Sequence, residues 1–151
     1  MDIVSKAKRS QMMSAVRSKN TKGEIEIRKR LHRMGLRYRL HKGDLLGNPD
    51  MVFKAHRALI FVHGCFWHQH SCAHSKLPQT NKQWWKTKLL RNKMRDDHVV
   101  KELQKKQWRI LIIWECAFRS KGINENFAFD KIARRTYCFI LGSRRKMEIS
   151  A

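Results

Sequence analysis

Two apolar runs of strand length, Ala58-Leu59-Ile60-Phe61-Val62 and Ile110-Leu111-Ile112-Ile113-Trp114, stand out from a chain that is otherwise polar and basic. Short runs rich in β-branched and aromatic residues, bounded by polar segments, have the pattern of buried strands. Met51-Val52-Phe53 precedes the first run, and Lys54-Ala55-His56-Arg57 between them predicts a turn joining two paired strands. Arg37-Tyr38-Arg39-Leu40 alternates and reads as a further short strand. A loop through Gly43, Gly47, Asn48 and Pro49 separates it from Met51.

Elsewhere the apolar positions recur at helical spacing. Thr21 with Glu24 forms an S/T-x-x-E capping signal, and Ile25, Ile27, Leu31, Met34 and Leu36 follow, predicting a helix over about 22–34. The charged stretch 81–106 carries Trp84, Leu89, Met94, Val99 and Leu103 at helical intervals. A helix that long is unusual, so a bend or break near Asp96-Asp97 is expected. A last helix over 126–141 follows turn signals at Gly122 and Asn124-Glu125-Asn126, with Cys138 as a small buried hydrophobe. The order of elements predicts an α/β fold, a mixed central sheet flanked by helices. Residues 1–20 lack strong periodicity and read as a DNA-contacting arm or a loosely packed helix, 21–141 as a single domain, and 142–151 as a basic C-terminal tail.

Composition narrows the partner. With 34 Lys+Arg against 12 Asp+Glu in 151 residues, the net charge of +22 exceeds what solubility requires and points to a polyanion. The charge is dispersed rather than gathered on an amphipathic helix, no run of 18 apolar residues occurs, and no signal-peptide core is visible, so a membrane role is not expected and the expected compartment is the cytoplasm. A domain of this length can build its own core. A metal would therefore be a local staple.

The chemistry concentrates in Val62-His63-Gly64-Cys65-Phe66-Trp67-His68-Gln69-His70-Ser71-Cys72, which holds two thiols, three imidazoles and two adjacent aromatics. A third thiol, Cys116, ends the second apolar run. Cys65, His70, Cys72 and Cys116 offer a Cys₃His set for Zn²⁺ with no open coordination position, which marks a structural site, with His74 a rival for the histidine place. The absence of an export signal favours metal over disulfides, and the absence of a C-x-x-C pair speaks against a thiol redox protein. His63 and His68 remain beside the end of a strand, and Asp50 opens the neighbouring one, giving a hard oxygen ligand for Mg²⁺ and imidazoles for proton transfer. His68 suits water activation because imidazole titrates near neutrality. Phe66-Trp67 and Trp84-Trp85 lie in basic surroundings where rings can stack on bases or wedge between them, one ring of each pair being assigned to the core. Trp108 and Trp114 are assigned to packing.

These residues resemble those of the very-short-patch repair (Vsr) endonucleases, whose fold is related to restriction endonucleases. The resemblance spans nearly the whole chain and rests on Arg17-Ser18-Lys19-Asn20-Thr21 with Glu24, Gly47-Asn48-Pro49-Asp50, His63-Gly64-Cys65-Phe66-Trp67-His68, Leu77-Pro78 with Trp85, Asn92 and Asp96, and Trp108-Arg109-Ile110-Leu111 with Trp114-Glu115-Cys116. It implies a DNA mismatch endonuclease, with 21–141 as the endonuclease domain, that nicks the thymine strand, 5′ of the T, in T:G mismatches left by deamination of 5-methylcytosine. Asp50 would hold Mg²⁺ with the main-chain carbonyl of Val62, which stands where the best-known member of the family has a threonine. His68 would be the general base, His63 an aid at the metal's water shell, and Glu24 an acidic helper. Cys65, His70, Cys72 and Cys116 would hold structural Zn²⁺. Phe66, Trp67 and Trp85 would intercalate, with Met13 entering from the opposite groove and Lys88 and Asn92 reading the mismatched pair. Double-stranded DNA carrying a T:G mismatch is the implied partner of a monomer, with mismatch-repair proteins as further partners. The absence of a Glu-x-Lys pair after the second strand agrees with a histidine-based variant of the restriction-type site. The rival reading is a non-catalytic, zinc-stabilised DNA-binding protein.

Overall fold

In the computed structural model, residues 5–15, 19–40, 43–119 and 124–151 are described. Arg17, Ser18 and Gly122, used above as sequence signals, lie outside them. Five strands form one sheet in the order β1 (Arg39–Leu40), β2 (Met51–Phe53), β3 (Ala58–His63), β4 (Arg109–Trp114), β5 (Lys146–Ile149). The first three pair antiparallel, and β3, β4 and β5 run parallel, so the sheet is mixed. Between β2 and β3 a 3-10 turn, Lys54–His56, ends at Arg57 with φ 50°, which makes the reversal expected from the sequence.

Alternation along the strands divides the core into two layers. Met51, Phe53, Ala58, Ile60, Leu111 and Ile113 face α2 (Lys22–Arg33) and α4 (Glu125–Leu141), meeting Ile27, Leu31, Phe129, Ile132 and Ile140. Val52, Leu59, Phe61, Ile110, Ile112 and Trp114 face the other way, meeting Val99 and Leu103 of α3 (Lys82–Lys105). Central strands buried on both faces read as continuous apolar runs, which is why β3 and β4 are the most visible elements of the sequence. A separate helix, α1 (Lys6–Ser14), is capped by the Ser5 side chain and occupies part of the predicted arm.

Helix α2 starts as its capping box predicts: the Thr21 side chain accepts from the Glu24 N–H. It ends in a Schellman motif, Leu36 N–H to the Leu31 carbonyl at 3.1 Å and Gly35 N–H to the His32 carbonyl at 3.0 Å, with Gly35 at φ +88°.

Four expectations are corrected. Helix α3 runs unbroken past Asp96-Asp97 for 24 residues, because it contains no proline or glycine and its inner row, Trp85, Leu89, Asn92, Asp96, Val99 and Leu103, keeps a continuous 4-3-4-3-4 spacing. Met94 and Trp84, placed on that row by the sequence pattern, are exposed. The C-terminal residues are not a tail: Lys146–Ile149 is the edge strand β5, where Ile149 is buried against the α2/α4 layer. Cys138 is exposed on α4, since the apolar row of that helix is filled by Ile132, Thr136, Phe139 and Ile140.

One glycine fixes how α3 meets the loop before β2. A Cβ on Gly47 would lie 2.4 Å from Val99 Cγ1, and the residue has φ +78°. Gly47→Ala should therefore lower the unfolding free energy by about 2–5 kcal/mol, combining left-handed strain with overpacking. Gly35→Ala meets no atom within 4 Å and should cost only the backbone part, about 1–2 kcal/mol. Urea midpoints of the two variants check the difference.

Candidate active site

Both clusters of chemistry sit beyond the carboxyl ends of β3 and β4, the edge of a parallel sheet where loops diverge and ligands are held. Pairing sets His63 opposite Trp114. The chain leaves β3 through Gly64 and Cys65 and leaves β4 through Glu115 and Cys116, so two thiols arrive side by side; the Cys116 N–H donates to Cys65 Sγ at 3.3 Å. The loop after Cys65 turns back, with the His70 N–H on the Cys65 carbonyl at 3.0 Å and the Cys72 N–H on the His70 carbonyl at 2.9 Å. The Ser75 hydroxyl ties this loop down by donating to the His70 and Cys72 carbonyls.

As a result, one ligand atom from each of Cys65, His70, Cys72 and Cys116 lies within 4.8 Å of the others. His74, the rival histidine, is exposed in the next turn and is not in the group. Burial pushes the Cys65 thiol up to about 12, with the neighbouring thiols adding to the rise and the Cys116 N–H opposing it. Burial works against a Cys65 thiolate, whereas a soft divalent cation would supply the positive charge that favours it. The donor set fits a structural metal.

A second group joins His63, His68 and Asp96. The imidazoles of His63 and His68 are stacked, centroids 3.8 Å apart and planes 4° apart. His68 Nδ1 meets Asp96 Oδ2 at 2.5 Å. Two tetrahedral ligands at about 2.0 Å from one metal stand about 3.3 Å apart, so this closer contact is a hydrogen bond rather than an ion's first shell. Asp96 therefore orients His68 and leaves its Nε2 for a substrate. His63 is 9% exposed, and burial, reinforced by His68, holds its pKa down to about 3, against the pull of Asp96 and Glu148. It is a neutral imidazole throughout the neutral range.

Asp50 enters from β2, its N–H on the Ile60 carbonyl and its Oδ2 accepting the Val62 N–H at 2.7 Å. Burial pushes its carboxyl up to about 6; the Val62 N–H opposes this, and the charge of Glu24 adds to it. Glu24 is 2% exposed, accepting from Arg28 Nη2 at 2.7 Å, the Asn20 N–H at 3.0 Å and the Thr21 hydroxyl at 3.1 Å. Two carboxylates desolvated in each other's field suit a hard cation. Glu24, Val62, His63, Trp67, His68 and Met13 share the lining of one cavity of about 870 Å³, so the structure brings the N-terminal helix, Glu24 and the histidine pair around a single space.

The rings form a second surface beside it. Phe66 lies 5.1 Å from Trp67 and 5.3 Å from Trp85, and Lys88 Nζ stands 5.8, 4.7 and 5.4 Å from the rings of Trp67, Trp84 and Trp85. The expected division of each pair holds for Trp84-Trp85, where Trp84 is 56% exposed and Trp85 is partly buried on the inner row of α3, but not for Phe66-Trp67, both of which are partly buried. Asn92 is engaged, its amide donating to the Trp67 carbonyl at 3.2 Å.

Three residues of the site have a place there that the sequence reading did not give them, although Asp96 and Trp114 are among the residues that carry the resemblance. Asp96 is the clearest, and its signal was available: it is an acid on the inward row of α3. Trp114, assigned to packing, is buried but stacks on His70 at 4.4 Å and meets His63 edge-on at 5.5 Å. Glu148 of β5 accepts from Trp114 Nε1 at 2.9 Å. Nothing local marks either role.

Comparison with known proteins places this geometry. Residues 1–74 match the family model described as DNA mismatch endonuclease Vsr. The chain is 36% identical over 148 residues to the DNA mismatch endonuclease Vsr of Escherichia coli, covering 98% of this chain and 93% of that protein. It is 41% identical over 124 residues to the type II nicking enzyme V.XorIIP of Xanthomonas oryzae, covering 82% and 91%. It is 38% identical over 122 residues to the type II nicking enzyme V.NmeAIP of Neisseria meningitidis, covering 81% and 87%.

In metal-free protein the Asp50 carboxyl should titrate near pH 6, followed by carboxyl-carbon NMR. Glu24→Gln removes a neighbouring negative charge and should move that titration down. Because a cation must displace the proton, divalent-metal affinity should fall about tenfold per pH unit below 6 and level off above 7.

Proposed function

The chain belongs to the Vsr family of DNA mismatch endonucleases, and from that premise we propose that it nicks the thymine-containing strand 5′ of the T in T:G mismatches, by Mg²⁺-dependent phosphodiester hydrolysis. It is a DNA endonuclease, and the alternative of a non-catalytic zinc-stabilised DNA-binding protein is set aside by that membership. Among the described residues no helix is long and apolar enough to cross a membrane. The observation that carries the mechanistic reading is the Asp96–His68 hydrogen bond at 2.5 Å, with His68 lining a cavity that Glu24 also lines.

His68 acts as general base. With Nδ1 held by Asp96, Nε2 presents its lone pair to the attacking water and takes its proton as the bond to phosphorus forms. His63, stacked on His68 and uncharged, fixes the ring plane and offers a neutral partner to water at the site. Asp50, with the Val62 main chain, and Glu24 at one remove, would hold Mg²⁺, which supplies charge stabilisation to the phosphoryl and leaving oxygens. The product is a nick with a 5′-phosphate.

Specificity comes from the rings. Phe66 and Trp67 immediately precede His68 in the chain, so a ring inserted between bases also sets the strand against the base catalyst. Unstacking costs least where pairing is imperfect, which favours a mismatch. Phe66, Trp67 and Trp85 form the wedge, Met13 approaches from α1, Lys88 contributes charge beside the rings, and Asn92 braces the Trp67 backbone. The dispersed charge of +22 supplies contacts to phosphates. Zn²⁺ in the Cys65, His70, Cys72 and Cys116 set would staple the loop that carries the wedge, contributing on the order of 10 kcal/mol to local folding.

His68→Ala should lower kcat on a T:G duplex by about 10²–10⁴-fold with DNA binding retained, and Asp50→Ala should abolish Mg²⁺-dependent nicking. A T:A duplex of the same sequence should remain intact. Nicking assays with strand-specific labels check all three; cleavage of T:A at the T:G rate would end the proposal. Elemental analysis should find one zinc per chain, and Cys116→Ser should lose it together with thermal stability.

A further inference from the structure

A second cavity, of about 440 Å³, opens on the same two histidines and is not needed for the steps above. It lies between the loop before β2 and the C-terminal half of α3. Leu46, Phe61 and Val99 make its apolar wall, Asn48 contributes a polar edge, and Arg95 and His98 stand at its rim. His63 and His68 line both cavities, so the base catalyst sits on the boundary between them.

The two spaces differ in charge. Glu24, Glu115 and Glu125 line the first, paired with Arg28, Arg119 and Lys22. Among the described residues Asp96 is the one carboxylate lining the second, and it is turned to His68 Nδ1. Arg95 and His98 are exposed, three residues apart on one helix face, where side chains are neighbours. Neither makes a hydrogen bond or ion pair among the described residues. Two N–H donors with no hydrogen-bond acceptor among the described residues, Glu102 one turn beyond His98 being bonded to Lys105, stand above an apolar wall and match the sugar-phosphate unit of a nucleic-acid strand: anionic oxygens for the rim, deoxyribose carbons for the wall.

We propose that this second cavity is a strand-holding subsite for the nucleotide next to the scissile bond, with Arg95 and His98 gripping that nucleotide's phosphate. The proposal rests on His68 being the base catalyst of a strand-nicking enzyme. A strand is continuous, and with the scissile phosphate at His68 its neighbour must pass to one side. The first cavity offers paired carboxylates on that path, and the second offers unpaired donors. Holding the adjacent phosphate fixes the scissile one along the strand axis, so Arg95 and His98 are positioning residues rather than proton carriers.

The test uses T:G duplexes with one neutral methylphosphonate linkage, moved in turn through the positions flanking the scissile bond. They are presented to the wild-type protein and to Arg95→Ala, His98→Ala and Arg95→Lys. For the wild type, one linkage next to the scissile bond should lower kcat/KM about tenfold. Arg95→Ala should be about tenfold slower on unmodified duplex, and that linkage should then cost it nothing further. Its slope of log affinity against log salt should fall by about one phosphate contact, and Arg95→Lys should restore the slope. Losses that multiply at every position, or an unchanged salt slope in both alanine variants, would overturn the subsite. Wild-type protein that leaves the unmodified duplex intact would count against the nicking reading alone; binding of the same modified duplexes, measured without metal, then decides the subsite by the same non-additivity.

Discussion

The parallel register of β3 and β4, which sets His63 against Trp114, is the constraint from which the site follows. Two adjacent strands that end together release two chains at one edge, and two residues further on Cys65 and Cys116 are neighbours. An antiparallel pair would have sent those thiols to opposite ends of the sheet. The antiparallel pairing of β2 with β3 then adds Asp50, whose carboxyl meets the N–H of Val62. The Cys/His cluster, the histidine pair and the buried carboxylate are consequences of how three strands are paired.

A column of rings ties the two centres together. His70 stacks on Trp114, Trp114 meets His63 edge-on, His63 stacks on His68, and His68 is bonded to Asp96. Aromatic contacts of this kind restrict orientation more than they add stability. The order of the loop carrying Cys65, His70 and Cys72 therefore reaches His68 through packed side chains. The Trp114 indole is in turn held by Glu148, so the last strand of the chain helps to fix the active site.

Much of the fold was legible because it depends on neighbours in sequence. The Thr21–Glu24 capping box, the turn at Lys54–Arg57 and the runs of β3 and β4 express local backbone preference and burial on both faces. The thiols and imidazoles were legible as an unusual mixture that no core requires. Asp96 was harder, because a carboxylate on an inward helical row is visible only once the row is drawn correctly, and the row was drawn through Trp84 and Met94. Strand β5 was hidden because Lys146-Met147-Glu148-Ile149 is a half-exposed edge whose pairing partner lies over thirty residues away.

The sequence by itself determined the kinds of group present and their local order: which thiols and imidazoles crowd one segment, which helix begins at Thr21, and that a polyanion is the partner. These follow from composition, spacing and short-range hydrogen bonding. Tertiary structure alone decided that Asp96 bonds to His68, that Trp114 and Glu148 brace the histidines, that β5 closes the sheet, and that two cavities meet at the stacked histidine pair. Each joins residues far apart in the chain, and only packing of α3 and β5 against the β3–β4 pair brings them within contact distance.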